Sequence, residues 1–222
     1  MRATSHASSR NGARRRSTVV LLVRHAATAT TGVRLPGRSA GLHLSDEGRR
    51  QADAVAARLG RLRRVAAVYT SPLERARETA VAIARALGTT PRVDAGLLEV
   101  DIGDWTGLSI ARASRRAEWQ TVQRHPSGFR FPGGESFMEL QARIVETVAR
   151  LAARHPGAIV VAVSHADPIK AAVAHALGAH LDLFQRVVVA PASVTAIAYR
   201  STGPAVLTVN SVDGDLAGLG LE

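Results

Sequence analysis

Two short apolar runs do most to limit the folds open to this chain: VVLLV at residues 19–23 and AIVVAV at residues 158–163, each stopping abruptly at polar side chains. Both are rich in β-branched residues and lack alternation, the pattern of strands buried on both faces of a sheet. A strand carries its last residues out of the core. Arg24 and His25 follow the first run, and Ser164 and His165 follow the second, so both histidines are expected at strand carboxyl ends. In open α/β sheets that edge is where ligands bind.

Helical and strand patterns alternate along the rest of the chain. Residues 28–44, rich in Thr, Gly and Pro, read as a long loop of the kind that usually binds something. Ser45, Asp46 and Glu47 open a helix with Ala52, Val55, Ala56 and Leu59 on one face and Gly60 at its close. Residues 65–69 form a second buried strand. SPLE, residues 71–74, then reads as a capping box, with Ser71 as N-cap, Pro72 as first helical residue and the helix running to Gly88. Arg75 and Arg77 fall in its first turns, where the macrodipole disfavours cations and a bound anion would offset the cost.

An edge strand at 91–94, the irregular GLLEVDIGDWTG, a helix ending near Trp119 and the loop HPSGFRFPGG come next. Ser136 and Glu139 form another capping box, starting a helix that ends near His155. A helix from about Pro168 to Leu177 follows the strand at 158–163, with strands or strand fragments at 187–189, 194–199 and 206–210. This order predicts an α/β three-layer sandwich, a mostly parallel β-sheet with helices on both faces.

A length of 222 residues with 46% hydrophobic composition suits one α/β domain, though two small ones would fit. Cysteine is absent, which removes disulfides, thiolate zinc sites and thiol nucleophiles. The formal charge of +11 owes much to Arg2, Arg10, Arg14, Arg15 and Arg16 in a leader without apolar periodicity. Residues 1–17 are therefore read as a disordered basic tail, 18–210 as the domain and 211–222 as a flexible C-terminal tail. A basic tail can hold phosphate backbones or anionic membranes weakly; it is read here as solvated, with no specific nucleic-acid partner. The apolar run after Arg16 is too short for export and no run reaches the roughly 18 residues of a membrane span, so a soluble, cytoplasmic protein is expected.

Four groups converge on one expected site: Arg24, His25, Arg75 and His165. Guanidinium forks suit phosphate or carboxylate oxygens, and imidazoles serve as nucleophile, acid or proton shuttle near neutral pH. The site is cationic. His6, His43, His125, His155, His175 and His180 lie in the tail, the long loop, turns or helix ends and are read as structural.

At this point the sequence resembles the histidine phosphatase superfamily, the phosphoglycerate-mutase-like or histidine acid phosphatase clan, in its branch of small bacterial members. LLVRHAAT is similar to that family's nucleophile motif, SPLERARETA to its second-arginine motif, EVDIGDWTG to its general-acid segment and VSHADPIK to its second-histidine motif. The four run in the family's order from Val19 to Tyr199. The resemblance implies a phosphoglycerate-mutase-like fold with His25 as a nucleophile that becomes phosphohistidine. It further implies that Arg24, Arg75 and His165 hold the phosphoryl oxygens and that Glu99 protonates the leaving oxygen.

An imidazole nitrogen attacks phosphorus only with a free lone pair, so the other nitrogen should donate a hydrogen bond. Surrounding cations stabilise charge on the equatorial oxygens, and neither a metal nor a cofactor is then required. Glu99 suits acid work if burial raises its pKa; Asp101 and Asp104 compete, but Glu99 precedes the Gly103, Trp105, Gly107 frame. Ala26 and Ala166 stand where the family has glycine, Ala27 where many relatives have Glu, and Thr31 where mutase-like members place Asn. Thr28, Thr31 and the Ala166 backbone are expected at the substrate. Loops at 32–43 and 124–134 should choose it, and Arg34, Arg38 and Arg130 suggest a second acidic group on it, with solvated charges as the alternative.

The leading expectation is a metal-independent phosphatase for a small phosphorylated substrate, a phosphoprotein being included. Alternatives are a phosphoglycerate mutase primed by a bisphosphate, a non-catalytic phospho-ligand sensor, a nucleic-acid binder using its tail, and a metallohydrolase on His165 and Asp167. Residues 181–189 are read as core or as a homodimer contact.

Overall fold

The computed structural model describes residues 17–216 and 219. The expected disordered tail lies, apart from Ser17, outside them. Six strands, β1 (Thr18–Arg24), β2 (Val65–Thr70), β3 (Pro91–Val93), β4 (Ile159–Ser164), β5 (Val194–Arg200) and β6 (Gly203–Ser211), form one sheet in the order β3-β2-β4-β1-β5-β6. The first four are parallel, while β5 runs antiparallel to β1 and closes a hairpin with β6. Each residue of β4 and all but the last of β1 are buried, as the unalternating runs require.

Helices α1 (Asp46–Leu59), α2 (Glu74–Ala86), α3 (Ile110–Ala113), α4 (Trp119–Arg124), α5 (Phe137–Arg154) and α6 (Ala166–Ala176) complete the chain order. Val19, Leu21 and Val23 of β1 pack with Val55 and Leu59 of α1 and Ile83 of α2, whereas Val20 and Leu22 face the layer containing Ile144 of α5 and Ile169 of α6. Burying each such side chain stabilises the fold by about 1.5–3 kcal/mol. The three-layer α/β sandwich is thus written in the alternation of two neighbouring strands. Ser45 caps α1, and Ser136 with Glu139 forms the capping box of α5.

Four expectations about elements need correction. The helix expected from Pro72 begins at Glu74, because Ser71 turns its hydroxyl to another partner and Leu73 stands at the N-cap without a side-chain bond. The helix expected to end near Trp119 is two short ones, with Trp119 opening the second and stacking on buried Trp105 at 6.4 Å. Helix α6 starts at Ala166, two residues early, which places Pro168 third, where a missing N–H costs nothing. Residues 187–189 are not a strand: they follow a 3-10 turn over Leu181–Arg186, and Leu181 and Phe184 are core.

Within residues 211–222, the Arg58 side chain binds the carbonyls of Ser211, Asp213 and Gly214, and Leu216 is buried against α1 and its neighbours. Among the described residues no helix is long and apolar enough to cross a membrane.

Candidate active site

The carboxyl ends of the parallel strands deliver all the expected groups to one place. Strands β1 and β4 pair in register with Arg24 opposite Ser164, so His25 and His165 emerge side by side, their ring centroids 5.1 Å apart. Arg75 arrives in the first turn of the helix after β2, and Glu99 from the irregular segment after β3. A cavity of about 430 Å³ is lined by Arg24, His25, Thr28, Thr31, Glu99 and Ala166 among others, with Arg75 and His165 fully buried and not part of its lining.

The ring of His25 is held by its own backbone: Nδ1 lies 2.8 Å from the Ala26 carbonyl oxygen, an acceptor only, so Nδ1 carries the proton and Nε2 keeps its lone pair. Burial, then Arg75 and Arg24, push this imidazole down to about 3. His165 is fully buried, its Nε2 2.8 Å from Ser71 Oγ and its Nδ1 without a partner among the described residues. Its proton affinity also falls well below the ordinary value, first through burial and then through His25 and the arginines.

Both arginines are anchored by carbonyls. Arg24 Nη1 donates to Val189 O at 2.7 Å; Arg75 donates to Gly37 O at 2.7 Å and to Ser39 O at 3.4 Å. Neither makes an ion pair among the described residues, and the Nε of each is buried without a partner. Buried cations without a close ion pair are costly, and an anionic ligand would supply one, beyond the more distant charges of Glu99, Asp167 and Glu74. Arg75, which the sequence placed against the helix dipole, is completely buried.

Glu99 lies half-buried in the cavity wall, with Oε1 accepting from the Val100 N–H at 2.9 Å. Burial first, then the neighbouring Asp167, raise this carboxyl to about 7 against the pull of Arg75 and Arg24. Its competitors are occupied elsewhere: Asp101 accepts from the Gly103 N–H and pairs with Arg38, and Asp104 is exposed. Within the glycine frame, Gly103 is required sterically, whereas a Cβ on Gly107 would meet nothing within 4 Å and is disfavoured only by a φ of +82°. A Cβ on Gly103, whose φ is +47°, would stand 2.1 Å from the Pro132 carbonyl oxygen.

Thr28 and Thr31 line the cavity and bond each other, Thr28 N–H to Thr31 Oγ1 at 2.9 Å, bracing the loop as well as facing the site. The methyl group of Ala26 is buried with the apolar layer of α1 and α2. Ala166 lies at the first position of α6, where its N–H has no intrahelical acceptor.

Of the three arginines offered for a second acidic group, only Arg34 reaches the cavity. Arg38 bonds Glu135 and the Glu99 carbonyl, and Arg130 pairs with Glu139, so both are spent on the scaffold.

Three contributors escaped the sequence reading. Ser71 was assigned to helix capping. Thr79, four residues after Arg75, accepts from the Ala26 N–H at 3.1 Å and donates to the Arg75 carbonyl, joining the loop after β1 to α2. Lys170 pairs with Asp167 across one turn of α6 at 3.4 Å and with Gln185, and all three line the cavity. The i,i+3 spacing of Asp167 and Lys170 was a usable signal; the other two depend on tertiary contacts. Among the described residues no three His, Asp or Glu side chains are grouped so as to hold a metal ion.

Carbonyl-anchored arginines and neutral imidazoles at the carboxyl ends of a parallel sheet make this an α/β protein with a site suited to an anionic group. The match can be stated more narrowly. Residues 20–212 fit the pattern of the histidine phosphatase superfamily, branch 1, and the chain belongs to that family. It is 39% identical over 181 residues to a bifunctional protein of Mycobacterium tuberculosis, covering 78% of this chain and 50% of that one. The chain thus spans about half the length of these first curated relatives. It is also 31% identical to phosphoserine phosphatase 1 of Hydrogenobacter thermophilus, over 74% of this chain and 79% of that protein. A solved mycobacterial glucosyl-3-phosphoglycerate phosphatase superposes with a TM-score of 0.79 at 29% identity, covering 88% of this chain and all of the other.

Proposed function

We propose that this chain is a phosphatase that hydrolyses a small phosphomonoester through a phosphohistidine on His25. The observation that carries the reading is the fixed tautomer of His25: a neutral imidazole whose Nε2 lone pair is presented beside two arginines that make no close ion pair among the described residues. In the first step Nε2 forms a bond to phosphorus as the bond to the ester oxygen breaks, and Glu99 gives its proton to that leaving oxygen. In the second step water attacks phosphorus and passes a proton to the Glu99 carboxylate. The P–N bond then breaks, phosphate leaves and Nε2 recovers its lone pair.

Arg24, Arg75 and His165 supply the positive field that stabilises the equatorial oxygens, a contribution that matters most where little water enters. A carboxyl raised to about 7 is suited to giving and taking a proton near neutral pH. The relatives named as phosphoserine and glucosyl-3-phosphoglycerate phosphatases support the reaction class, and a cavity of about 430 Å³ suits a small ester.

The test is hydrolysis of an aryl phosphate in the presence of a chelator by wild type and His25→Ala, followed by trapping of acid-labile phosphate on the protein. Activity and trapped phosphate on wild type alone support the proposal. Phosphate binding without turnover or trapping, from pH 4 to 8, would replace it with a sensor.

A further inference from the structure

We propose that Ser71 is a positioning residue that fixes the tautomer of His165 and so turns His165 Nδ1 into a hydrogen-bond donor for a phosphoryl oxygen. The inference rests on the phosphoryl-transfer reading of the site. A serine hydroxyl has one proton to give. Ser71 Oγ lies 2.8 Å from His165 Nε2 and 3.4 Å from the backbone nitrogen of Leu73, which can only donate. Among the described residues no other acceptor stands within hydrogen-bond distance of this hydroxyl, so its proton goes to Nε2. A neutral imidazole then holds its single proton on Nδ1, the buried nitrogen that has no partner among the described residues.

The other two protonation states fit poorly. With the proton on Nε2, the Ser71 hydroxyl would lose its acceptor and a bare lone pair on Nδ1 would meet the negative oxygens of the substrate. An imidazolium would have to form in full burial beside His25, Arg75, Arg24 and Arg143. The backbone explains why this serine is free for the task. Its N–H is tied to Val163 O at 3.0 Å, two residues before His165, and α2 starts too late to need its hydroxyl as a cap.

The experiment is imidazole nitrogen NMR at pH 7 on the full chain, as wild type, Ser71→Ala and Ser71→Thr, with and without inorganic phosphate, the His165 signals being assigned by their loss in His165→Asn. The same samples are assayed on an aryl phosphate. Wild-type His165 should appear as the Nδ1–H tautomer, its Nδ1 proton should shift on adding phosphate, and Ser71→Ala should mix the tautomers. Ser71→Ala should also lower kcat/KM about ten- to a hundredfold, mainly through kcat, with Ser71→Thr largely restoring both readouts.

An Nε2–H tautomer or an imidazolium in wild type overturns the inference, as does a tautomer indifferent to Ser71→Ala. The resting tautomer is read without turnover. A wild type with the Nδ1–H form and a phosphate-induced shift, but neither hydrolysis nor trapped phosphate, would uphold the role of Ser71 and refute the phosphohistidine reaction.

Discussion

Val23 and Val163 face each other on adjacent parallel strands, and each is followed by one polar residue, a histidine and an alanine. By local sequence the two histidines are near equivalents. In the proposed reaction their surroundings give them opposite tasks. His25 is followed by a loop, so its ring turns back on the Ala26 carbonyl and leaves a lone pair facing the cavity. His165 is followed directly by α6, and its ring meets the Ser71 hydroxyl from the next strand instead. Two imidazoles with the same proton position thus present an electron pair in one case and an N–H in the other.

The sharpest break in this comparison is removal of each ring. His25→Ala should abolish trapped phosphate and reduce kcat/KM by at least about 10⁴-fold, because the nucleophile is lost. His165→Ala should cost about 10²- to 10³-fold, the scale of one oxyanion donor, and should still trap phosphate. Equal losses in both would dissolve the distinction.

Glu99→Gln should lower kcat on a poor, alkyl leaving group by about 10²- to 10⁴-fold and on an activated aryl phosphate by less. The same change carries a sign for stability. A carboxyl raised from 4.5 to about 7 in the folded state contributes stability at low pH and loses it as pH rises through 7. The glutamine variant should therefore be more stable than wild type above pH 7, by about 1–3 kcal/mol in denaturant titration. No gain at pH 8 would argue against a strained acid.

The pH profile of kcat/KM should fall above about 7, as Glu99 loses its proton, and below about 3, where His25 gains one. Stability should follow the His25 part independently: a group lowered from 6.5 stabilises the fold fully above pH 6.5 and progressively less as pH falls towards 3. The smallest expected effect is at Thr79. Thr79→Val keeps the shape but leaves the Ala26 N–H unpaired, which should destabilise by about 1–3 kcal/mol and lower kcat modestly.

Much of this molecule follows from the sequence alone. Unalternating β-branched runs can be satisfied only between two helical layers, so β1 and β4 were legible, and with them the carboxyl edge that carries both histidines. Helix α5 announced itself through Ser136 and Glu139, because a capping box is closed by neighbours in the chain. The placement of Arg75 in the first turn of α2 was legible in the same way.

What the chain order could not decide were contacts between segments far apart. Ser71 looked like a cap because its competing partner, His165, is 94 residues away. Arg38 looked available to a substrate until Glu135, 97 residues on, claimed it, and Val189 looked like a strand residue where it serves as the carbonyl anchor of Arg24. Short-range hydrogen bonds and apolar periodicity are encoded where they act. The tautomer of a buried imidazole and the counter-ion of an arginine are settled by whichever polar atom the packed fold brings within about 3 Å.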